Sequence, residues 1–393
     1  MLIHRLDARG LLSFGTQGIN LDLRPLNVLI GPNGSGKSNL LESITLLKAA
    51  PRDLAGALTR GGNAVRDWIW SGEPKLSVAA IEAILDNPKG SQHLRHKLKF
   101  AARGQRFEVT EERIANEHAY GGLPTPYLYY ENVGGRATIN YLDTAGENTE
   151  RNLRIETVDS EQSILAQRKD PDHYPVLTYL GEVLSRIRFY REWEFGRDTV
   201  LRTPQKTDRP NNFLREDAKN LGLVLNSLRR SPKVKTRLIE SLRRLYDGIT
   251  DFEVIIEANT VQVFFHEGNI EVPATRLSDG TLRYLCLLAI LCHPNPPPLV
   301  CIEEPELGLH PDVLPTLAEL LLEASERGQL IVTTHSEVLV DALTDHPECI
   351  VVCEKREGQT NMRRLQANEL TDWLKRYGLG DLWRRGEIGG NRW

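Results

Sequence analysis

Two glutamates stand side by side where an apolar run ends, in Leu299-Val-Cys-Ile-Glu-Glu-Pro-Glu306. A carboxylate buried unpaired loses several kcal/mol of hydration, so such a pair is either solvated at a strand exit or aimed at a cation. Far upstream, Gly31-Pro-Asn-Gly-Ser-Gly-Lys-Ser38 has the spacing G-x-x-x-x-G-K-[ST] between an apolar strand pattern and a helical one. In that context Gly31, Asn33, Gly34, Ser35 and Gly36 let successive backbone N–H groups close around a β-phosphate. The helix N-terminus, continuing into Asn39, adds positive potential. Lys37 can reach the β- and γ-phosphates, and the Ser38 hydroxyl can ligate Mg²⁺. A phosphate loop needs a second strand beside it whose end supplies a carboxylate to that metal and a group to orient water. The strand ending at Glu303 and Glu304 meets the need, with Glu303 facing the metal and Glu304 the γ-phosphate, because adjacent strand residues point oppositely. Taken alone, the octamer reads as a solvated strand exit; beside the phosphate loop it reads as a site.

Two further stretches extend the chemistry. In Thr275-Arg-Leu-Ser-Asp-Gly-Thr281 a polar turn opens an apolar helix, presenting backbone N–H groups and the hydroxyls of Ser278 and Thr281 around Gly280 at a positive helix end. As a free tetrapeptide this is a plain helix cap. As a second anion site it is superfluous within one protomer, so it is expected to face a nucleotide held by another copy of the chain. The run Gly328-Gln-Leu-Ile-Val-Thr-Thr-His-Ser336 is a buried strand ending at His335, where an imidazole can bond the γ-phosphate or the attacking water.

The rest of the chain must position these residues. With 393 residues, 40% hydrophobic and 26% charged, it can bury one large core or two moderate ones. No apolar run reaches the roughly 20 residues that cross a bilayer, and the N-terminus has no secretory pattern. A soluble, cytoplasmic chain without a membrane partner is expected. The five cysteines lack a repeated Cys-x-x-Cys pattern and are expected as reduced core thiols. Residues 19–30 read as one strand entering a buried sheet, 75–143 as short antiparallel strands, and 143–152 as a surface loop. Residues 213–247 read as two helices broken at Ser231-Pro232, with no sustained heptad. The expected division is 1–74, an N-terminal lobe with the phosphate loop; 75–160, an antiparallel region of that lobe; 161–275, a helical arm with connecting strands; and 276–393, a C-terminal lobe.

Together "GPNGSGKSN", "LSDGTLR", "CIEEPELGLHP" and "VTTHS" resemble the ABC-type ATPase heads of the SMC, RecF and OLD group, and among these the small RecF-like predicted ATPases of bacteria. The tail from Trp373 to Trp393 is similar as well. The resemblance implies an α/β P-loop NTPase fold of ABC-ATPase type, with a mixed sheet core, an antiparallel β lobe and a short helical arm. It assigns Lys37 and Ser38 to Walker A, Glu303 and Glu304 to Walker B, and Ser278 to Thr281 to the signature turn. Leu307 to Pro311 match the D-loop, and His335 matches the switch histidine. It also implies ATP and Mg²⁺ as cofactors and a glutamine that senses the metal. Gln162 and Gln167 are both candidates, and Gln162 is taken because it precedes an apolar pair as a loop residue would.

Two departures matter: Glu303 replaces the usual Asp, and Asp279 replaces a Gly, so that Asp279 is expected to point away and cap its own helix. The implied partners are a second copy closing around two ATP molecules, a nuclease or other effector protein, and DNA, in repair or phage defence. A net charge of −4 gives no global pull on nucleic acid. The candidate patches are Arg229, Arg230, Lys233, Lys235, Arg237, Arg243 and Arg244 on the helices, and Arg95, His96, Lys97, Lys99, Arg103 and Arg106 on the strands. Solvated faces explain those residues equally well. The rival readings are a transporter ATPase subunit and a nucleotide-dependent scaffold that does not hydrolyse.

Overall fold

The computed structural model describes residues 1–393 apart from 63, 74–76, 105, 144–149, 192, 194–195, 197–198 and 391–393. A six-stranded sheet lies at the centre, in the spatial order Arg188–Tyr190, Leu299–Glu303, Gln329–Thr333, Leu26–Ile30, Ile350–Arg356 and Gln359–Arg364. All its pairings are parallel except the last, a hairpin. Its inner strands are almost continuously apolar because both faces are covered. Leu26, Val28 and Ile30 join one core with the helices Asp279–Leu291 and Leu314–Ser325. Leu29 joins another with the helix Lys37–Ala49 and the antiparallel strands.

Residues 19–30 form two strands rather than one. Ile19–Asp22 pairs with Ile3–Arg9 at the edge of an eight-stranded antiparallel sheet, whereas Leu26–Ile30 enters the central sheet. Pro25 brings no N–H to a ladder. Its carbonyl accepts from Leu330, while the Asn27 side chain bonds both the N–H and the carbonyl of Arg24 at 2.9 and 2.6 Å, turning the chain between sheets. The antiparallel sheet continues through Val78–Leu85, Leu94–Arg103, Arg106–Asn116, Leu128–Val133, Arg136–Asp143 and Glu150–Glu156. Most of the expected surface loop between the last two lies outside the described residues, as do the last three residues of the tail.

The two expected helices are Leu221–Leu228 and Pro232–Leu245. They fold onto the central core, burying Leu225, Leu238 and Leu242 with the helix Asp279–Leu291, and a small sheet built on Asp251–Glu257 and Thr260–Glu267 packs beside them. All five cysteines are buried and unbonded. Among the described residues no helix is long and apolar enough to cross a membrane.

Candidate active site

The phosphate loop leaves the central strand at Ile30 and closes at Gly36, whose φ of 102° is left-handed. A side chain there would suffer twice, because a Cβ would also lie 2.1 Å from Thr360 Oγ1. Behind the loop runs a chain of hydrogen bonds. Asn39 donates to Ser13 Oγ at 2.6 Å, Ser13 and Thr360 share a hydroxyl contact of 2.6 Å, and Thr360 donates to the Ser35 carbonyl at 2.9 Å. The last hairpin of the central sheet therefore braces the loop, and the Asn39 side chain is spent on that brace. Replacing Thr360 with Val keeps its shape and deletes two of these bonds. At about 1 kcal/mol for a lost bond that strands a partner, a five- to tenfold weaker affinity for a fluorescent ATP analogue is expected, and an unchanged titration would refute the brace.

Lys37 folds back onto the carbonyls of Gly31 and Pro32 at 2.7 and 3.1 Å. Burial lowers its pKa, opposed by the charges of Glu304, Glu303 and Glu306. Gly34 and Asn33 are exposed at the tip, while Ser35 is buried with an Oγ that has no hydrogen-bond partner.

The twin-glutamate strand is not the immediate neighbour of the phosphate-loop strand. The histidine strand lies between them, with Thr333 in register with both Glu303 and Leu29. The carboxylates still converge on the loop. The pKa of the Glu303 side chain is raised chiefly by burial and held down in part by Arg191 and by the neighbouring Ser38. One Glu303 carboxylate oxygen is buried without a hydrogen bond. A buried orphan oxygen beside a hydroxyl is a hard-donor pair suited to Mg²⁺, so the residues present fit that ion.

Glu304 faces away from Glu303 for a reason other than strand alternation. It has left the strand with φ 46°, a left-handed backbone that costs a glutamate about 1–3 kcal/mol unless neighbours enforce it. They do: its N–H donates to the Thr333 carbonyl at 2.9 Å, and its own carbonyl accepts from Arg283 at 2.8 Å. The carboxylate then lies 3.5 Å from His335 Nε2. Burial lowers the His335 pKa, Lys37 adds to this, and Glu304 and Glu306 oppose it. A neutral imidazole beside a carboxylate can hold a water or a phosphate oxygen between them.

Several functional neighbours carried no spacing signal. Glu306, just past the proline, accepts from the Thr334 hydroxyl at 2.7 Å and the His335 N–H at 2.8 Å, fixing the histidine turn. Arg191 follows the strand Arg188–Tyr190, which runs parallel to the twin-glutamate strand. It bonds Glu42, donates to Thr45 at 3.2 Å and lies 3.7 Å from Glu303. Among the described residues it is Arg191, not Gln162, that stands beside Glu303. Gln162 is exposed in a turn closed onto Asp159, next to Ser163 and Ile164, which bond Glu112 of the antiparallel sheet. Gln167 spends its amide on Asp159 and Gln162. Their signal was the resemblance and a position before an apolar pair, neither of which says where a loop lies.

Ser278 caps the helix Asp279–Leu291, accepting from the Thr281 N–H at 3.1 Å. Asp279 does not cap it. Its carboxylate is paired with Arg202 at 2.5 Å, which neutralises the charge that would repel a phosphate. At Gly280 a Cβ would come within 2.4 Å of the Gly308 carbonyl, so the turn is locked to the segment Leu307 to Pro311, whose Leu307 side chain is exposed.

The two basic stretches are neutralised in part within the chain, the described ion pairs leaving out Arg229, Arg230, Lys233, Arg243 and Arg106. Lys235 pairs with Asp251, Arg237 with Glu323 and Arg244 with Glu319, while Arg243 bonds the Ile249 carbonyl. On the strands, Arg95 pairs with Glu82, His96 with Glu112, Lys97 and Lys99 with Glu111, and Arg103 with Glu108. Charge spent this way does not accumulate into a phosphate-tracking stripe.

Over residues 26–129 and 132–341 the chain matches the family model described as AAA domain, putative AbiEii toxin, Type IV TA system. Among solved structures it is similar to the SmcHead bound to the C-winged helix domain of ScpA, at 14% identity and a TM-score of 0.56, over 93% of this chain and 99% of that one. It is also similar to the Smc head domain with an extended coiled coil bound to the C-terminal domain of ScpA from Pyrococcus furiosus. There the identity is 13% and the TM-score 0.55, over 95% and 98% of the two chains. At such identities the likeness speaks for the fold alone, that of a P-loop ABC-type ATPase head. No curated protein matches the chain.

Proposed function

Because the chain belongs to the AbiEii-type AAA family and folds as an ATPase head of the SMC and RecF-like class, we propose that it binds and hydrolyses ATP between two copies of itself. The observation that carries this reading is the convergence of Ser38 with Glu303, and of Glu304 with His335, at the same edge of the central sheet as Lys37. In the proposed cycle the loop N–H groups and Lys37 hold the phosphates, and Ser38 with Glu303 would hold Mg²⁺, which supplies neutralising charge to the phosphates when bound. Glu304 accepts the proton of the attacking water, and His335 holds the γ-phosphate oxygen on the other side. Ser278, Gly280 and Thr281 of the second copy complete the site with a helix N-terminus. Closure and release of the heads would then work on a protein effector, such as a nuclease in phage defence or repair, in the cytoplasm. The internal pairing of the basic stretches favours a protein over DNA as the direct target.

The test is phosphate release and solution mass for the wild type and Lys37→Ala. The wild type is expected to release phosphate from Mg-ATP and to double its mass with ATP, with neither seen in Lys37→Ala, and duplex DNA is expected to change neither quantity. Release at the Lys37→Ala background in the wild type would sink hydrolysis and leave a binding scaffold. A strong stimulation by duplex DNA would overturn the preference for a protein target.

A further inference from the structure

At one end of the antiparallel sheet, away from the motifs above in sequence, adjacent strands bring together His4, Asp86, His93 and Glu117. His4 sits where the pairing of Ile3–Arg9 with Val78–Leu85 slips register between Ile3 and Arg5. Such a bulge re-aims a side chain. Asp86 and His93 bracket the loop that joins Val78–Leu85 to Leu94–Arg103, and the Glu117 N–H donates to the His93 carbonyl at 2.9 Å. One ring nitrogen from each histidine and one Asp86 oxygen all lie within 4.8 Å of one another. We propose that His4, Asp86 and His93 form a site for a divalent transition metal of the zinc type, with Glu117 as the orienting group for His93.

Three features of the cluster favour a metal over an ordinary polar sheet end. The first is the placement of the rings: their centroids lie 3.8 Å apart with 26° between planes, which brings two imidazole donors side by side. The second is an unpartnered nitrogen, since His4 Nε2 is buried without a hydrogen bond, 4.0 Å from Asp86 Oδ1. The third is an outer partner. His93 Nδ1 lies 3.3 Å from Glu117 Oε2, and Glu117 is itself held by Arg5 at 3.0 Å. Donation from Nδ1–H to a carboxylate leaves Nε2 as the ligand atom and makes it more basic, the arrangement found around zinc histidines.

Bonds of about 2.0–2.1 Å to zinc put tetrahedral ligands about 3.3 Å apart, so the cluster must contract on binding. A metal also lies in the plane of each imidazole, so one ring must turn out of the stack, about a torsion that is broad for histidine. Asp86 also lines a cavity of about 450 Å³ with Met1, Tyr179 and Gln329. Two neutral histidines and one carboxylate leave a zinc ion one charge in excess, which Glu117, already paired with Arg5, offsets only in part. The bound ion would clip the N-terminal strand to the neighbouring hairpin, and the claim stands independently of ATP hydrolysis.

The test uses the full chain stripped with EDTA, titrated with Zn²⁺ against a chromogenic chelator and with Co²⁺ as a spectroscopic probe. One Zn²⁺ per chain is expected, together with a tetrahedral Co²⁺ spectrum. In His4→Ala and Asp86→Asn both are lost, and Glu117→Gln weakens zinc on the order of 10–100-fold. Lys37→Ala, which leaves the cluster intact, is expected to bind zinc as the wild type does. Should His4→Ala fail to fold, Glu117→Gln and Asp86→Asn decide. No uptake by the wild type, or equal uptake by the wild type and those variants, overturns the site.

Discussion

Glu304→Gln is expected to lower phosphate release on the order of 10²–10³-fold while ATP affinity stays within about twofold, and to trap the ATP-bound pair of heads. The substitution preserves side-chain length and removes the carboxylate charge together with the ability to take a proton. The backbone that aims the residue is untouched, because the left-handed turn is held by main-chain bonds to Thr333 and Arg283 rather than by the carboxylate. What changes is the group 3.5 Å from His335 Nε2. With proton acceptance gone and phosphate binding intact, the closed state should outlive the measurement, and a mass twice that of the monomer should persist in ATP and vanish in ADP. Equal rates in wild type and variant would remove Glu304 from the chemistry. A monomeric mass throughout would remove the sandwich.

What could be read before the structure and what could not divides along a physical line. The phosphate loop is legible because each of its residues answers a local demand: small residues for backbone N–H groups, a lysine of fixed reach, a hydroxyl one position on. The apolar strands were legible because a sheet covered on both faces needs continuous Val, Ile and Leu. Glu304 does lie beside His335, but not for the reason strand alternation supplies. Period-two alternation predicts its direction only on a strand, and the chain leaves the strand there at φ 46°. Arg191 could not be found by spacing, since what brings it to Glu303 is a strand order in which Arg188–Tyr190 lies outermost, a long-range fact with no local sequence cost. Gln162 shows the same limit in reverse: it lies in a turn, and Glu112 ties the adjoining helix start to the antiparallel sheet, a long-range contact that loop chemistry does not announce. In the basic stretches, composition counts charges and cannot count their partners across a sheet or between helices.

The second large effect concerns the signature turn. Ser278→Arg and Lys37→Ala should each abolish phosphate release alone, the first by filling the anion site with a bulky cation and the second by removing the phosphate clamp. Mixed in equal amounts they should recover about a quarter of the wild-type rate. In a two-fold symmetric pair half the dimers are mixed, and each mixed dimer has one intact loop facing one intact turn. Nothing in either chain alone predicts this recovery, since each lacks a part of every site it could build with itself. Neighbouring contacts make the turn a sound place to test. Ser278 caps the helix through its hydroxyl, so a helix-stability control is needed, and Thr281→Arg supplies it because it spares that cap. The same helix carries Arg283 to the Glu304 carbonyl, and Gly280 presses on Gly308, so the turn is rigidly coupled to the catalytic segment of its own chain. Arrival of a nucleotide on the partner would thus be felt at Glu304 of the chain that donates the turn. If mixing restores nothing while each variant remains folded, the turn acts within its own protomer and the two-copy site must be abandoned.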